Sequence, residues 1–401
     1  MQANWRIGSL FGIPLFIDSS WFFILAFITL VNALDLYTAW GPVLAWSAGF
    51  VMALLLFGSV LVHELGHSLV ARSQGIKVNS ITLFLFGGVA SIEQESKTPG
   101  EAFQVAIAGP TVSLLLSGLF YTIAQVLPTS GIVSVLVLGI ARINLVLALF
   151  NLIPGLPLDG GQVLKAAVWK LTGNRFQGIR WAARTGQFLG WTAISLGLLV
   201  FLLTSEFGSL WMALIGWFIV RNASNYERIT TLQEALMQLV AADAMTREFR
   251  VVDADMSLRQ FTDEYILKDA WTSHVYPYYA ASHGRYRGLL AVEDLQFIER
   301  SRWETETLHS IVRPLSEIVT LPEKTPLLEV INSMENNQMK RLTVISPADA
   351  VAGVIDRGDI VRSVATKLNL EVSDADIKRI KAEDSYPPTL PLPAVAKATT
   401  K

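Results

Sequence analysis

Six long apolar runs restrict the fold of this chain more than any other sequence feature. They extend over about 15–34, 43–71, 103–127, 131–153, 186–204 and 207–220. A helix needs ~20 predominantly apolar residues to cross the hydrocarbon of a bilayer. The mean hydropathy of +0.43 is also high for a soluble globular protein. The sequence therefore predicts a polytopic α-helical membrane protein with about six transmembrane helices, of which the last is short.

The charged residues divide the chain into two parts of different character. Residues 1–226 hold only 11 of the 32 Lys and Arg residues and 8 of the 34 Asp and Glu residues. The remainder has the composition of a soluble α/β domain. A net charge of -2 argues against a nucleic-acid partner, and the absence of cysteine excludes disulfides, iron–sulfur clusters and thiol catalysis. Any metal ion must therefore be bound by histidine or carboxylate side chains.

The connectors between the apolar runs predict the orientation in the membrane. Segments 35–42, 128–130 and 205–206 contain no Lys or Arg, whereas the segments on the opposite side of the membrane are basic. Basic connectors remain in the cytoplasm. We therefore expect a multi-pass integral membrane protein whose N and C termini are both cytoplasmic.

The segment between the second and third runs has a strand pattern rather than a helical one. Residues 76–92 are rich in β-branched and aromatic side chains and are interrupted by Gly87 and Gly88. This pattern predicts a membrane-associated β-hairpin or short sheet at the cytoplasmic face. Such backbone is tolerated at membrane depth only where protein or a water-filled cavity satisfies its polar groups.

The C-terminal part contains a weak internal repeat. Residues from about 242–300 align with 313–366, so that Gly288 matches Gly353, and each repeat predicts the order strand, helix, strand, strand, helix. The predicted organisation is a transmembrane domain (1–221), a linker helix (222–241), a repeat module (242–370) and a tail (371–401). From Ser385 onward the tail has few large apolar residues, which predicts disorder at its end.

The second apolar run ends in the sequence HELGH, which includes two of the five histidines of the chain. His63 and His67 are separated by four residues and therefore lie on one face of a helix, where both imidazoles reach a single Zn²⁺ ion. Glu64 is placed beside them as a general base for an attacking water molecule. A chance match, or a polar cluster at a helix end, explains poorly why these residues lie within an apolar run.

A catalytic zinc site needs a third protein ligand, and Asp159 is the strongest candidate. It follows a segment with two prolines and precedes Gly160 and Gly161, which predicts a break in the fourth helix on the same side as HELGH. The alternative is that Asp159 only caps the next helix, which Asp often does. Both functions are compatible in one residue.

These motifs together resemble the site-2 protease family of intramembrane zinc metalloproteases, peptidase family M50. The resemblance rests on HELGH, on Ala108–Pro110 at the third run, and on Asn144 followed by FNLIPGLPLDGG at 150–161. The second half resembles a tandem pair of cystathionine-β-synthase (CBS) domains. Together the two resemblances cover residues 1–366.

The resemblance to site-2 proteases implies a role for each motif residue. The implied zinc ligands, for one ion per chain, are His63, His67 and Asp159, and Glu64 is the implied catalytic base. Asn151, together with Asn144, is implied to hold the substrate backbone or the oxyanion, although an Asn at position 151 also suits a cap on the broken helix. Ser113 stands where many family members have Asn.

The resemblance to CBS pairs implies adenine-nucleotide binding in the cleft between the repeats. Asp294 and Asp359 occupy the positions of the aspartates that bind the ribose. Ala291 and Asp356 stand where Thr or Ser is usual, which removes one hydroxyl and adds one negative charge. Helix capping in a purely structural or dimerising module is the alternative function of both aspartates. CBS pairs also associate face to face, which implies a homodimer.

The predicted function is proteolysis within the membrane, with a membrane-tethered protein that has a transmembrane segment as the substrate and the bilayer as the solvent. A transmembrane substrate must unwind before it is cut, and residues 81–92 could bind it by strand addition. A CBS-regulated channel or transporter is the alternative class, and an inactive membrane scaffold is a second alternative. Neither alternative needs the HELGH motif.

Overall fold

The computed structural model describes residues 5–85, 87–128, 131–269 and 276–399. These residues form two compact units, Met1–Thr230 and Thr231–Lys401. The division lies inside a long helix, α6, which continues from Ser209 to Gln238. Residues 222–238 of the predicted linker helix (222–241) therefore form the second half of this helix rather than a separate element.

The first unit is built mainly from helices. Their bounds are Ser20–Ser73 (α1), Pro99–Val126 (α2), Ile132–Asn151 (α3), Asp159–Thr172 (α4), Arg175–Thr204 (α5) and Ser209–Gln238 (α6). Among the described residues, α1, α2, α3 and α5 are long and apolar enough to cross a membrane. An integral membrane protein is therefore supported, while the number of six spans stays a prediction.

Helix α1 combines the first two predicted spans. Gly41 has φ 70° and ψ 172°, which is not helical, and Pro42 follows it. Proline has no amide hydrogen and so breaks a helix at the preceding turn. The two halves pack closely, because a Cβ atom on Gly49 would lie only 2.6 Å from the carbonyl oxygen of Thr29.

A four-stranded sheet accompanies these helices. Its strands are Trp5–Leu10 (β1), Ile13–Ile17 (β2), Val78–Phe84 (β3) and Gly87–Ile92 (β4). They are arranged in the order β1-β2-β3-β4, in which β2 and β3 are parallel and both other pairs are antiparallel. The predicted hairpin at 76–92 is confirmed as β3 and β4. It is part of a larger sheet, because β2 also pairs with β3.

The prediction that the first span begins near residue 15 is wrong. Residues 13–17 form β2, and α1 begins only at Ser20, where the carboxylate of Asp18 accepts a hydrogen bond from the amide of Ser20. The alternation in β2 explains the difference. Ile13, Leu15 and Ile17 are buried on one face, which is the period-2 pattern of a strand.

The second unit contains two sheets that share one topology. The strands are Arg250–Asp253 (β5), Tyr278–Ser282 (β6), Arg285–Leu290 (β7), Val312–Pro314 (β8), Thr320–Pro322 (β9), Arg341–Ile345 (β10) and Val351–Asp356 (β11). In each repeat a first strand pairs in parallel with a second, which forms an antiparallel pair with a third. Gly288 lies in β7 and Gly353 in β11, so the two aligned glycines occupy corresponding strands.

The helices of the second unit are short. They are Ala241–Ala244 (α7), Leu258–Phe261 (α8), Leu267–Asp269 (α9), Leu327–Asn336 (α10), Arg357–Lys367 (α11), Asp374–Glu383 (α12) and Leu392–Thr399 (α13). The two repeats differ in the helix that follows the third strand, which is β7 in the first repeat and β11 in the second. A 3-10 helix at Val292–Phe297 takes the place of the α-helix that was predicted there.

The prediction of disorder from Ser385 is wrong for the residues described up to Thr399. Helix α13 packs against α10, and Leu390, Leu392 and Val395 are buried. Composition was misleading, because a few well-placed apolar side chains are sufficient to attach a short helix to an existing core.

Candidate metal centre

The side chains of His63, His67 and Asp159 converge between α1 and α4. The Nε2 atoms of the two histidines are 3.3 Å apart, and Oδ2 of Asp159 lies 3.0 Å from Nε2 of His63 and 3.2 Å from Nε2 of His67. Both histidines are buried, and the carboxylate is partly exposed. Three potential ligand atoms therefore form a small triangle, of which only the carboxylate corner is partly exposed.

The dimensions of this triangle suit a tetrahedral zinc ion. Zinc bonds to histidine nitrogen and carboxylate oxygen are ~2.0–2.2 Å long, which places the ligands of a tetrahedron about 3.3–3.6 Å apart. The observed separations of 3.0–3.3 Å are close to this range. Two imidazoles and one carboxylate are also a known catalytic donor set that leaves a fourth position open.

Asp159 does not act as the N-cap of α4. The helix begins at Asp159 itself, and Leu158 occupies the cap position without a side-chain cap bond. The carboxylate instead lies against the two histidines. Of the two alternatives that the sequence left open, the structure does not show the cap, and the role of Asp159 as a metal ligand stays a prediction.

Helix α2 holds both imidazole rings. Nδ1 of His67 lies 2.7 Å from the carbonyl oxygen of Val105, and Nδ1 of His63 lies 2.9 Å from the hydroxyl of Ser113. A carbonyl accepts only, so His67 must carry its proton on Nδ1, which leaves Nε2 free to bind a metal. Ser113 accepts equally well from His63, so the replacement of the usual Asn keeps a polar partner for this ring.

Close approach of α2 to the histidines requires glycine at position 109. A Cβ atom there would lie 2.2 Å from Nε2 of His67 and 2.7 Å from Nε2 of His63. Val105, Gly109 and Ser113 are spaced by four residues and therefore share one face of α2. On this face the carbonyl of Val105 and the hydroxyl of Ser113 bind the two rings, and Gly109 between them leaves space for both.

The segment between α3 and α4 is fixed by backbone packing. The amide of Leu156 donates to the carbonyl of Ala182 in α5, at 3.0 Å, and Leu156 is fully buried. A Cβ atom on Gly161 would lie 2.3 Å from the backbone of Gly155. The glycines and the buried leucine thus position Asp159 at the start of α4.

Glu64 lies between the histidines and β4, the last strand of the described sheet. A Cβ atom on Gly88 would be only 2.6 Å from Cγ of Glu64, and the amide of Ala90 donates a hydrogen bond to the Glu64 carboxylate. The amide of Glu93 points toward β3, since it donates to the backbone carbonyl of Lys77, just before that strand. Even-numbered amides of β4 therefore point away from β3, toward the side of Glu64.

An ion cluster fastens the segment after β4 to the helices behind it. The carboxylate of Glu95 lies 3.0 Å from Nζ of Lys165 in α4 and 2.9 Å from Nη2 of Arg175 in α5. Burial raises the pKa of Glu95, but the two cations lower it by more, so the pKa of this carboxyl lies below its ordinary value. The cluster connects the strand beside Glu64 with the helix that carries Asp159.

The two asparagines occupy different environments. Asn144 is fully buried, and its side-chain amide donates to Ser59, one turn before His63, at 2.8 Å and to the carbonyl of Ile140 at 2.9 Å. Asn151 is the last residue of α3 and is partly exposed. The implied role of Asn151 toward substrate stays a prediction, whereas the complete burial of Asn144 and its two hydrogen bonds favour a supporting role.

In the second unit both candidate nucleotide residues have cationic neighbours. Asp294 lies 3.2 Å from Nη2 of Arg313, and Asp359 is buried at 2.8 Å from Nζ of Lys381. Asp356 caps α11 and forms a capping box with Asp359. Burial and the proximity of Asp356 raise the pKa of Asp359 to about 6, although Lys381 opposes this. In the second repeat Asp356 is thus the N-cap, and Asp359 accepts from its amide; the role of Asp359 in nucleotide binding stays a prediction.

A cavity of about 590 Å³ lies beside Asp359. Its lining includes Met245, Thr246, Arg362 and Lys367. The volume is in the range of small-molecule sites.

Sequence reasoning found the three converging side chains and Glu64 but missed their support. Ser113 was noticed only as a departure from a pattern, and the carbonyl of Val105 carries no sequence signal. The four-residue spacing of Val105, Gly109 and Ser113 could have indicated a face of α2 that approaches the HELGH helix. The ion pairs of Glu95 could not have been read from the sequence.

Comparison with known proteins agrees with this geometry. The profile of peptidase family M50 matches residues 51–140 and 127–193, and that of the CBS domain matches residues 310–366. The protein sll0528 of Synechocystis sp. is 43% identical over 373 residues, covering 91% of this chain and 97% of the relative. Rip3 of Mycobacterium tuberculosis is 35% identical over 325 residues, which cover 80% of this chain and 82% of Rip3. Both carry provisional names as zinc metalloproteases.

A solved structure, the site-2 protease from Methanocaldococcus jannaschii, is also similar. It shares 29% identity, covers 56% of this chain and 96% of its own, and has a TM-score of 0.41. On the evidence of the profile and the two relatives, this chain belongs to peptidase family M50, the site-2 protease family, and is a metalloprotease with a CBS module.

Proposed function

We propose that this protein hydrolyses peptide bonds within or next to transmembrane segments of membrane-tethered proteins, with one zinc ion held by His63, His67 and Asp159. The observation that carries the proposal is the triangle of ligand atoms, 3.0–3.3 Å apart, beside Glu64. A bound zinc ion would polarise the scissile carbonyl and acidify a water molecule. Neither a transporter nor a scaffold would need this arrangement of donors.

Glu64 is the general base of this reaction. Its carboxylate removes a proton from the attacking water and returns it to the leaving amine. The hydrogen bond from the amide of Ala90 holds the carboxylate in place. Ser113 and the carbonyl of Val105 fix the orientation of the two imidazoles, which is the usual function of groups behind metal ligands.

The substrate is bound in an extended conformation along β4. Strand β3 is paired on both sides, with β2 and with β4, so it has no free edge for a substrate strand. Among the described residues no strand pairs with the other edge of β4; there the amide of Ala90 holds Glu64, and the amides of Gly88 and Ile92 point to the same side. Addition of a substrate strand would satisfy the backbone groups that unwinding exposes and would bring the scissile bond toward the base. Within the predicted region at 81–92, residues 87–92 are therefore the binding strand.

The asparagines have separate functions in this proposal. Asn151, at the exposed end of α3, contacts the substrate backbone or the oxyanion. Asn144 holds α3 against α1 through Ser59 and thereby supports the HELGH helix from behind.

The CBS module regulates the protease by binding an adenine nucleotide in the cavity beside Asp359. Arg362 and Lys367 in the lining supply positive charge for phosphates. Association of these modules between two copies would produce a homodimer. In this proposal the chain crosses the membrane six times, and both termini are cytoplasmic. The active site lies within the membrane near its cytoplasmic face.

Replacement of Glu64 by Gln should abolish proteolysis and leave the zinc content unchanged. General acid–base catalysis contributes ~10²–10⁴-fold to a rate, so we expect at least about a hundredfold loss. Cleavage of a model transmembrane substrate by the purified protein in lipid measures this effect. A variant that still cleaves at more than a tenth of the wild-type rate would contradict the assignment of Glu64.

Replacement of Ile92 by Pro should weaken substrate binding selectively. The amide of residue 92 points away from β3, so proline removes an edge donor without removing a bond within the sheet. Loss of one hydrogen bond worth ~1 kcal/mol predicts a several-fold to tenfold rise in KM with kcat and zinc content retained. The Ile92→Ala variant keeps the amide and is the matched control. Equal KM values for the two variants would exclude strand addition at this position.

Nucleotide binding is tested by calorimetry on the full-length protein in detergent with ATP, ADP and AMP. We expect heat from at least one of them, and a reduced affinity in Lys367→Ala. Absence of heat with all three nucleotides would remove the regulatory proposal and leave the protease proposal intact.

The predicted topology is tested by single-cysteine labelling, for which the natural chain provides a cysteine-free background. Lys97→Cys and Asn222→Cys should resist a membrane-impermeant reagent in intact cells. Labelling at either position without lysis would reverse the assigned orientation.

A further inference from the structure

Strand β1 and the turn after it expose an apolar surface that no described residue covers. All six residues of β1 are exposed. The exposed fractions are 61% for Trp5, 53% for Ile7 and 68% for Phe11. Three large apolar side chains with more than half of their surface exposed are costly in water.

This surface continues the exterior of a membrane-spanning helix. The ring of Trp5 contacts the ring of Phe22 edge to face, with centroids 6.5 Å apart. Phe22 lies in the first turns of α1, next to Phe23, which is 76% exposed. Since the exterior of α1 faces lipid, an apolar surface that is joined to it by ring contact also meets the membrane. Tryptophan is enriched where a bilayer meets water.

Two features make a second protein chain the less favourable occupant. The pairing of β1 with β2 shifts register between Arg6 and Gly8, and Gly8 has φ 150°. A bulge and a charged residue on an edge strand both oppose the addition of another strand. They leave the apolar side chains available to lipid.

The basic residues of the hairpin determine its depth. Arg6 lies in β1, and the guanidinium of Arg72, at the end of α1, donates to the carbonyl of Phe11 in the turn. Both positive charges suit phosphate groups of lipids. No described strand pairs with the outer edge of β1, so its backbone groups there need water, which hydrocarbon does not supply. The hairpin therefore belongs at the boundary between headgroups and acyl chains.

We propose that the hairpin β1–β2 is an interfacial lipid anchor, in which Trp5, Ile7 and Phe11 enter the outer acyl region while Arg6 and Arg72 contact phosphates. Because β2 pairs with β3 and β3 with β4, this anchor also fixes the level of the whole sheet relative to the bilayer. The strand beside Glu64 is thereby held at a defined depth, independently of any substrate.

Spin labels on the cysteine-free chain test this proposal in lipid vesicles. Phe11→Cys and Ile7→Cys carry a nitroxide, with Phe23→Cys as the lipid-facing control and the exposed Glu304→Cys as the aqueous control. Collision with oxygen, which concentrates in lipid, is compared with collision with a water-soluble nickel complex. We expect positions 11 and 7 to favour oxygen, as position 23 does, at a shallower depth.

Two results would overturn the lipid anchor. If the nickel complex reached positions 11 and 7 as readily as position 304, the surface would face water. If labels at position 11 broadened one another through dipolar coupling in fully labelled protein, and dilution with unlabelled protein removed the effect, a second copy would be the occupant. The two positions are independent, so failure of one variant to fold leaves the other as the test.

Discussion

The structure depends on the cost of placing two imidazoles and two carboxylates among membrane-spanning helices. Polar groups in such a place are stable only when they have partners, because the surrounding hydrocarbon offers none. His63, His67 and Asp159 partner one another through atoms 3.0–3.3 Å apart, which is also the arrangement of ligands around one metal ion. The remaining elements can be understood as the support that this cluster needs.

The backbone of neighbouring elements supports this cluster in two ways, by packing directly against its side chains and by hydrogen bonding to them. Gly109 lets α2 touch both rings, and Gly88 lets β4 touch Glu64, since a Cβ atom at either position would overlap with the side chains. The backbone carbonyl of Val105 and the hydroxyl of Ser113 then fix the rings. Glu95 closes the arrangement by joining the strand side to α4 and α5 through two cations.

Local chemistry was predictable from the sequence, and long-range support was not. HELGH fixes two donors and a base on one helical face by spacing alone, and the glycine- and proline-rich segment before Asp159 indicates a broken helix. The sheet partner β2 was missed because its alternating apolar residues merge into the apolar run that follows. The tail was missed because burial of Leu392 and Val395 depends on α10, which lies far away in sequence. The partner of the His67 ring is the backbone carbonyl of Val105, and since every residue type has such a carbonyl, the sequence gives no signal for it.

The most direct test of this account is the zinc content of the purified protein, measured by mass spectrometry beside His67→Ala, Asp159→Ala and Glu64→Gln. About one zinc per chain is expected for the wild type and for Glu64→Gln, with loss or sharp reduction in the two ligand variants, because a catalytic zinc site needs all three protein ligands. Wild-type protein without stoichiometric metal after zinc has been supplied, or full zinc content in both ligand variants, would contradict the proposed centre.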